Sequence, residues 1–190
     1  MEKSIMFVGV GGQGSLLASR IMGTLLVSEG YDVKVSEVHG MSQRGGSVVT
    51  YVKYGKEVQS PVIEIGEADI LLSFELLEGA RWLPYLKKDG KLLTSSHKIP
   101  PMSVITGACE YPENIAENIS NSGVCITALN ARELAVSAGN PKCENVVMLG
   151  VLSQKMDISE TAWNKALEIC VPPKFLELNK KAFELGRSAA

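Results

Sequence analysis

The chain has 190 residues, a length typical of one domain, and 45% of them are hydrophobic, which favours a folded protein over a disordered one. Its formal net charge of -2 gives no electrostatic reason to expect nucleic acid or an anionic membrane as a partner. No apolar run reaches the ~18 residues of a membrane span. The first apolar run leads into glycines and not into a cleavage site, so we expect no signal peptide and a cytoplasmic protein.

The N-terminal part of the chain is predicted to form a strand, a helix and a second strand. Residues 4–9 are an apolar run, and the apolar residues after the glycines recur at helical spacing up to Gly30, which fits a helix C-terminus. Valines alternate with polar residues over 32–38, as in a half-buried strand. This order indicates a βαβ unit whose two strands pair in parallel.

Strands and helices continue to alternate until about residue 138, and the last third is mostly helical. Further strands are predicted at 47–54, 68–73, 91–94, 103–106 and 124–127, the last of them buried. Helices are predicted at 75–86, 113–120, 131–138, 145–156, 160–170 and 174–186. The helix over 145–156 is apolar almost all round, so we expect it to be buried. The pattern predicts an α/β fold, Rossmann-like and three-layered, with a mostly parallel sheet and a helical C-terminal third.

Three smaller interpretations concern polar residues outside the glycine motifs. Asn130 is predicted to cap the helix over 131–138, and Asp157 with Glu160 fits a capping box for the helix over 160–170. The carboxylates Asp69, Glu75 and Glu78 are interpreted as solvated or capping charges.

Metal and iron–sulfur sites are not expected in this chain. The cysteines lie far apart and form no CxxC pair, whereas zinc and cluster sites use closely spaced thiolates. His39 and His97 form no HxH or HxxxH pair. The cysteines are therefore interpreted as reduced, mostly buried and structural; they are Cys109, Cys125, Cys143 and Cys170.

A glycine turn follows the first predicted strand and opens the first helix. It matches the G-x-G-x-x-G pattern, in which glycines let a phosphate approach the backbone and the helix N-terminus supplies N–H groups. A tight turn that packs the helix on the strand without a ligand explains the glycines equally well. The candidate ligand-binding residues of this turn are Gly9, Gly11, Gly12, Gln13, Gly14 and Ser15.

A second polar, glycine-rich loop follows the second predicted strand. Arg44 has the geometry to hold a phosphate or carboxylate, and His39 and Gln43 offer hydrogen-bonding groups. Because ligands bind at the C-terminal ends of strands in such folds, we expect this loop to lie near the glycine turn. A solvated surface loop is the alternative. The candidate residues here are His39, Ser42, Gln43, Arg44, Gly45 and Gly46.

These two motifs occur as VGVGGQG at 8–14 and EVHGMSQRGG at 37–46. Together they resemble the gamma-type domain of 2-oxoacid:ferredoxin oxidoreductases, and the likeness covers nearly the whole chain as one domain over 1–190. Within that family the chain looks most like the beta subunits of indolepyruvate enzymes. The other segments that carry the likeness are ADILLSFE at 68–75, IPP at 99–101, ALN at 128–130, NVVMLG at 145–150 and VPPKF at 171–175.

The resemblance implies a subunit of an enzyme and no catalysis by the chain alone. Members of the family decarboxylate a 2-oxoacid with coenzyme A (CoA), giving acyl-CoA and carbon dioxide, and two electrons pass to ferredoxin. Thiamine diphosphate, magnesium and 4Fe-4S clusters are expected in a large partner subunit, as part of a hetero-oligomer. For this chain the resemblance implies docking on that subunit, with both glycine loops facing an anionic part of CoA or of the substrate.

Two other functions remain compatible with the residues. An NAD- or FAD-binding dehydrogenase domain would use the same glycine turn and would need an acidic residue after the second strand, for which Glu37 is available. A purely structural interaction module would leave the cleft without a ligand. Binding of NADH to the isolated chain discriminates between them.

Overall fold

The computed structural model describes residues 2–39, of which His39 in its backbone only, and residues 46–190. The strands are β1 (Lys3–Val10), β2 (Asp32–His39), β3 (Ser47–Gly55), β4 (Ala68–Ser73), β5 (Leu86–Ser95) and β6 (Cys125–Leu129). The helices are α1 (Ser15–Ser28), α2 (Leu76–Arg81), α3 (Met102–Ile105), α4 (Ile115–Asn121), α5 (Ala131–Ala138), α6 (Glu144–Ser153), α7 (Glu160–Cys170) and α8 (Leu176–Ser188). Within these ranges, none of the helices combines the length and apolar composition needed to cross a membrane.

The strands form one six-stranded sheet in the order β2-β3-β1-β4-β5-β6. β4, β5 and β6 follow β1 in parallel, whereas β3 pairs antiparallel with both β1 and β2. The α/β class and the mostly parallel sheet are thus confirmed. The predicted parallel pairing of the first two strands is wrong, because β3 is inserted between them and satisfies the backbone groups of both.

Helices cover both faces of the sheet, which gives the predicted three layers. β1 supplies both cores, because successive side chains of a strand point to opposite faces. Ile5 and Phe7 pack with α1 and with the C-terminal helices α5 to α8. Met6 and Val8 pack with α2 and α4 on the other face.

Four local predictions need correction. Residues 103–106 lie mainly in the helix α3 and not in a strand, since the place beside β5 is taken by β6 and the preceding prolines cannot donate ladder hydrogen bonds. β6, which was expected to be buried, is only partly buried because it is the end strand of the sheet. The cap of α7 is Ser159, whose hydroxyl accepts from the N–H of Ala162, and not Asp157. The helix predicted over 75–86 ends at Arg81 and continues as a 3₁₀ turn.

Other local predictions are confirmed. Asn130 caps α5 by accepting from the N–H of Glu133, and Gly139 ends that helix with a φ of 124°. α6 is buried along its whole length, as its apolar sequence predicts.

α6 and α8 cross at two glycines. A Cβ atom added to Gly186 would overlap the carbonyl of Val147 in α6, and one added to Gly150 would overlap the carbonyl of Phe183 in α8. The two backbones therefore lie in contact, and the crossing excludes any side chain at either position.

We expect Gly186→Ala to lower the free energy of unfolding of the purified chain by about 2–3 kcal/mol, because an overpacked crossing must separate the two helices. Gly23→Ala is the matched control. Gly23 lies within α1, where an added Cβ makes only ordinary contact with Val35, so that variant should be neutral or slightly stabilising. Urea unfolding measures both, and equal effects of the two substitutions would contradict the close crossing.

Candidate functional site

The glycine turn is fastened to the neighbouring strand by Gln13. The side-chain Oε1 of Gln13 accepts from the N–H of Val10 at 2.8 Å, and its Nε2 donates to the carbonyl of Phe74, after β4, at 2.8 Å. Gly12 and Gly14 have φ values of 93° and 83°, a left-handed conformation that glycine adopts without strain. The turn is thus a rigid connection, and Gln13 serves its structure as well as lining its surface.

The α6 helix supports the turn from below. The amide nitrogen of Asn145 donates to the carbonyl of Gly14 at 3.0 Å, and a Cβ on Gly14 would collide with that amide. Gly9 is also constrained, since a Cβ added there would lie 2.8 Å from Oε1 of Gln13 and 3.2 Å from the side chain of Phe74. Ser15 is half-buried and begins α1. At Gly9 and Gly14, therefore, close packing alone accounts for glycine.

The C-terminal end of the second loop, Gly46, lies against the glycine turn. The N–H of Gly11 donates to the carbonyl of Gly46 at 3.0 Å. This contact agrees with the expectation that the two motifs are neighbours. The backbone of His39 pairs with Val48 at the end of the β2–β3 ladder. The rest of the predicted loop site lies outside the described residues, namely Ser42, Gln43, Arg44 and Gly45 with the side chain of His39.

A cleft of ≈ 360 Å³ opens beside the glycine turn, and its lining includes two basic residues, Arg132 and Lys142. Arg132 comes from the first turn of α5 and Lys142 from the 3₁₀ turn before α6. His97 and Ile99 come from the segment that leaves β5. The cleft thus brings two permanent cations to the N-terminal end of α1, an arrangement that favours an anionic ligand.

His97 is held by a carboxylate at the start of α6. Its Nδ1 lies 3.1 Å from Oε2 of Glu144, and Oε1 of the same carboxylate accepts from the hydroxyl of Ser95 at 2.7 Å. Because Ser95 ends β5 and Glu144 begins α6, this contact fastens two segments that are distant in sequence.

Glu75 is a second buried carboxylate, and of its two expected roles, solvated or capping, it has the capping one. It is only 1% exposed, and the predicted capping role is confirmed by its bond from the N–H of Glu78 at 2.8 Å. It also accepts from the N–H of Ile99 at 3.1 Å and from the hydroxyl of Tyr111 at 2.6 Å. Burial and this bond to Glu75 raise the pKa of Tyr111. Glu75 therefore holds both ends of the exposed segment between β5 and α4.

Glu78 is buried as well, contrary to the expected solvation. Its carboxylate accepts from the hydroxyl of Ser47 and from Nε1 of Trp82. Ser47 is the first residue of β3, so Glu78 holds the strand that follows the second loop. Asp69 is paired with Lys87 at 2.5 Å, and both side chains remain partly exposed.

The position of Glu37 disfavours a nicotinamide site. Its carboxylate accepts from the hydroxyl of Thr50 in β3 at 2.9 Å. Because β3 lies between β2 and β1, Glu37 is two strands away from the glycine turn, about 10 Å along the sheet. A dinucleotide fold instead places the second strand directly beside the first.

A family model for pyruvate ferredoxin/flavodoxin oxidoreductase matches residues 4–189. The chain belongs to this family. It is 43% identical to the indolepyruvate oxidoreductase subunit IorB of Thermococcus kodakarensis and 41% identical to that of Pyrococcus horikoshii, in each case over 100% of this chain and 96% of the relative. It is also 26% identical to the 2-oxoglutarate synthase subunit KorC of Methanothermobacter marburgensis, over 98% and 96% of the two chains.

Two solved structures have the same fold. The gamma subunit of a keto/oxoacid ferredoxin oxidoreductase from Geobacter sulfurreducens superposes with a TM-score of 0.74 at 28% identity, covering 99% of this chain and 98% of that one. The 2-oxoglutarate:ferredoxin oxidoreductase of Magnetococcus marinus superposes with a TM-score of 0.76 at 19% identity, covering 100% of this chain and 31% of that one. The expected recognition is confirmed: this family member is a subunit of a 2-oxoacid oxidoreductase complex.

The cysteines of this family member differ partly from expectation. Cys143 and Cys170 are buried, and burial raises the pKa of the Cys143 thiol. Cys109 and Cys125 are exposed, because one lies on the exposed segment after α3 and the other on the end strand β6, so the expected burial is wrong for these two. In the part of the chain that the structure describes, no three His, Cys, Asp or Glu side chains form a group suited to a metal ion.

Sequence reasoning missed four residues of the cleft, His97, Arg132, Lys142 and Glu144. His97 and Arg132 follow closely the ends of β5 and β6, so the rule that ligands bind at C-terminal strand ends would have found both. Lys142 and Glu144 carry no such signal. They reach the cleft only because α6 packs beneath the glycine turn.

Removing the hydroxyl of Tyr111 tests the buried Glu75 network. We expect Tyr111→Phe to lower the free energy of unfolding by about 2 kcal/mol, because a carboxylate that stays buried loses one of its donors. Tyr51→Phe is the control, since the Tyr51 hydroxyl has no hydrogen bond to any residue of 2–39 or 46–190. Thermal unfolding of the two variants measures the difference, and identical curves would show that Glu75 does not depend on Tyr111.

Proposed function

We propose that the chain is the small subunit of an indolepyruvate:ferredoxin oxidoreductase. The observation that carries this proposal is the end-to-end identity of 43% with an indolepyruvate oxidoreductase subunit, well above the 26% shared with a 2-oxoglutarate synthase subunit. The reaction converts an aryl 2-oxoacid and CoA to an acyl-CoA and carbon dioxide, and two electrons pass to ferredoxin.

A large partner subunit supplies the redox chemistry in this proposal. Decarboxylation of a 2-oxoacid needs an electron sink, and transfer to ferredoxin needs an electron relay. The described residues of this chain do not fit a metal cluster that could relay electrons. Two of the cysteines are buried and two are exposed, and no three metal-binding side chains lie together among these residues. Thiamine diphosphate, magnesium and the 4Fe-4S clusters are therefore assigned to the partner, and the active complex is a hetero-oligomer.

The contribution of this chain is to complete the cleft and bind an anionic part of CoA or of the 2-oxoacid. Arg132 and Lys142 line the cleft together with Gly11 and Gly12 of the glycine turn. Oxyanions bound by such cations gain charge-assisted hydrogen bonds, which are stronger than neutral ones but are weakened by water at exposed side chains such as these. The N-terminal end of α1 adds a favourable dipole. The glycine turn and the second loop, with Arg44, form the rest of the proposed surface.

Reconstitution tests the proposed function. The chain is purified alone and together with a large subunit that carries thiamine- and cluster-binding motifs, and indolepyruvate-dependent reduction of ferredoxin is measured with CoA present. We expect activity only in the complex, with a higher kcat/KM for indolepyruvate than for pyruvate or 2-oxoglutarate. Equal activity of the large subunit alone would overturn the proposal, and tight NADH binding by the isolated chain would support the dehydrogenase alternative.

Substitutions in the cleft test the anion-binding role. We expect the double variant Arg132→Gln, Lys142→Gln to raise KM for CoA or for the 2-oxoacid by about 10- to 100-fold, because two charge-assisted contacts are lost. Arg44→Ala tests the second loop in the same complex. Unchanged Michaelis constants for both substrates, with intact assembly, would exclude these residues from ligand binding. The double variant Lys165→Gln, Lys181→Gln, on helices α7 and α8, removes the same number of positive charges outside the cleft and is the charge-matched control.

A further inference from the structure

His97 is a largely buried histidine that lines the cleft. Its side chain is 19% exposed and that of its partner Glu144 is 10% exposed, so the pair is largely shielded from water. One oxygen of the Glu144 carboxylate accepts from the hydroxyl of Ser95, and the other contacts Nδ1 of His97. The backbone next to His97 is fixed too, because its carbonyl accepts from the N–H of Leu76 at 3.0 Å. The imidazole is therefore held in one orientation.

The remaining ring nitrogen is available to a ligand. Nδ1 is occupied by Glu144, and within the described residues Nε2 has no hydrogen bond to the protein. His97 lines the cleft together with Gly11, Arg132 and Lys142. In the cationic imidazole both nitrogens donate, so Nδ1 can serve the carboxylate while Nε2 serves an oxyanion. A histidine placed between a carboxylate and a bound anion has favourable charges on both sides.

We propose that His97 contacts the anionic ligand of this cleft through Nε2, with Glu144 as the positioning residue that orients its ring. The ligand group is an oxyanion, either a phosphate of CoA or the carboxylate of the 2-oxoacid. This inference rests on the proposed function and deepens it. The competing explanation is structural: the His97–Glu144 pair only joins the end of β5 to α6, and removing either side chain affects folding alone.

Two substitutions of His97 separate these explanations. Asparagine places an amide nitrogen near the position of Nδ1 and keeps the contact with Glu144, but it has no group at the position of Nε2. Glutamine places its amide nitrogen near the position of Nε2 and gives up the contact with Glu144. A ligand role makes asparagine the more damaging substitution, whereas a structural role makes glutamine the more damaging one.

In the reconstituted complex we expect His97→Asn to raise one Michaelis constant about tenfold, the effect of one lost hydrogen bond to a charged group, while kcat and the unfolding temperature change little. His97→Gln should retain most of the affinity. The two sources of the oxyanion are distinguished by measuring KM for CoA and KM for indolepyruvate separately. An increase confined to CoA identifies the phosphate, and one confined to indolepyruvate identifies the carboxylate.

Glu144→Gln tests the positioning role. Glutamine preserves the shape of the side chain and an acceptor for Ser95 but removes the charge beside the imidazole. We expect a several-fold increase in the same KM in the wild-type background and no further increase when His97→Asn is already present, because Glu144 acts through His97. Lys98→Gln, a neutralised charge on the neighbouring residue, is the control and should change neither Michaelis constant.

The inference is overturned if His97→Asn leaves both Michaelis constants unchanged in a complex whose wild-type form is active. It is overturned as well if His97→Asn lowers the unfolding temperature and kcat without changing KM. Failure of the proposed function looks different, since the wild-type complex would then not reduce ferredoxin with any 2-oxoacid tested.

Discussion

The insertion of the antiparallel strand β3 beside β1 is the constraint on which the rest of the structure depends. It satisfies the backbone hydrogen bonds of β1 on the side where a dinucleotide-binding fold would place β2. It moves Glu37 away from the glycine turn and brings Gly46 against Gly11. The glycine turn, which has the sequence of a nucleotide-binding motif, therefore lies beside Gly46 and not beside the acidic residue that a dinucleotide-binding fold places there.

Buried carboxylates hold these neighbours in place. Glu75, Glu78 and Glu144 are all nearly inaccessible to water, and each accepts hydrogen bonds from more than one segment of the chain. Burying a charge without such donors would cost several kcal/mol. Glu144 at the start of α6 is bonded to residues at the end of β5, and Glu78 is bonded to the first residue of β3. These hydrogen bonds fix the positions of the three segments. The cleft is consequently built on supports that are fixed by several hydrogen bonds, as the proposed ligand-binding role requires.

Much of the fold could be predicted from local signals. Short segments were enough to predict four features: the buried helix α6, the strand β4, the Asn130 cap and the end of α5 at Gly139. The predicted strand near residue 103 was wrong because strand formation needs a free neighbour, and a short apolar run does not reveal whether one exists. The parallel pairing of β1 and β2 was wrong for a related reason, since periodicity identifies strands but not their partners.

The candidate site divides along the same line. The sequence alone determined the family, the glycine turn and the presence of a second polar loop, because these depend on residue identities at fixed local spacing. Only the tertiary structure decided that Gln13 fastens the turn to Phe74, that Glu75 is buried, and that His97 meets Glu144 beside Arg132 and Lys142. Such contacts join residues far apart in the chain. They arise from the order of the strands and the packing of α6 under the glycine turn, which no short segment encodes.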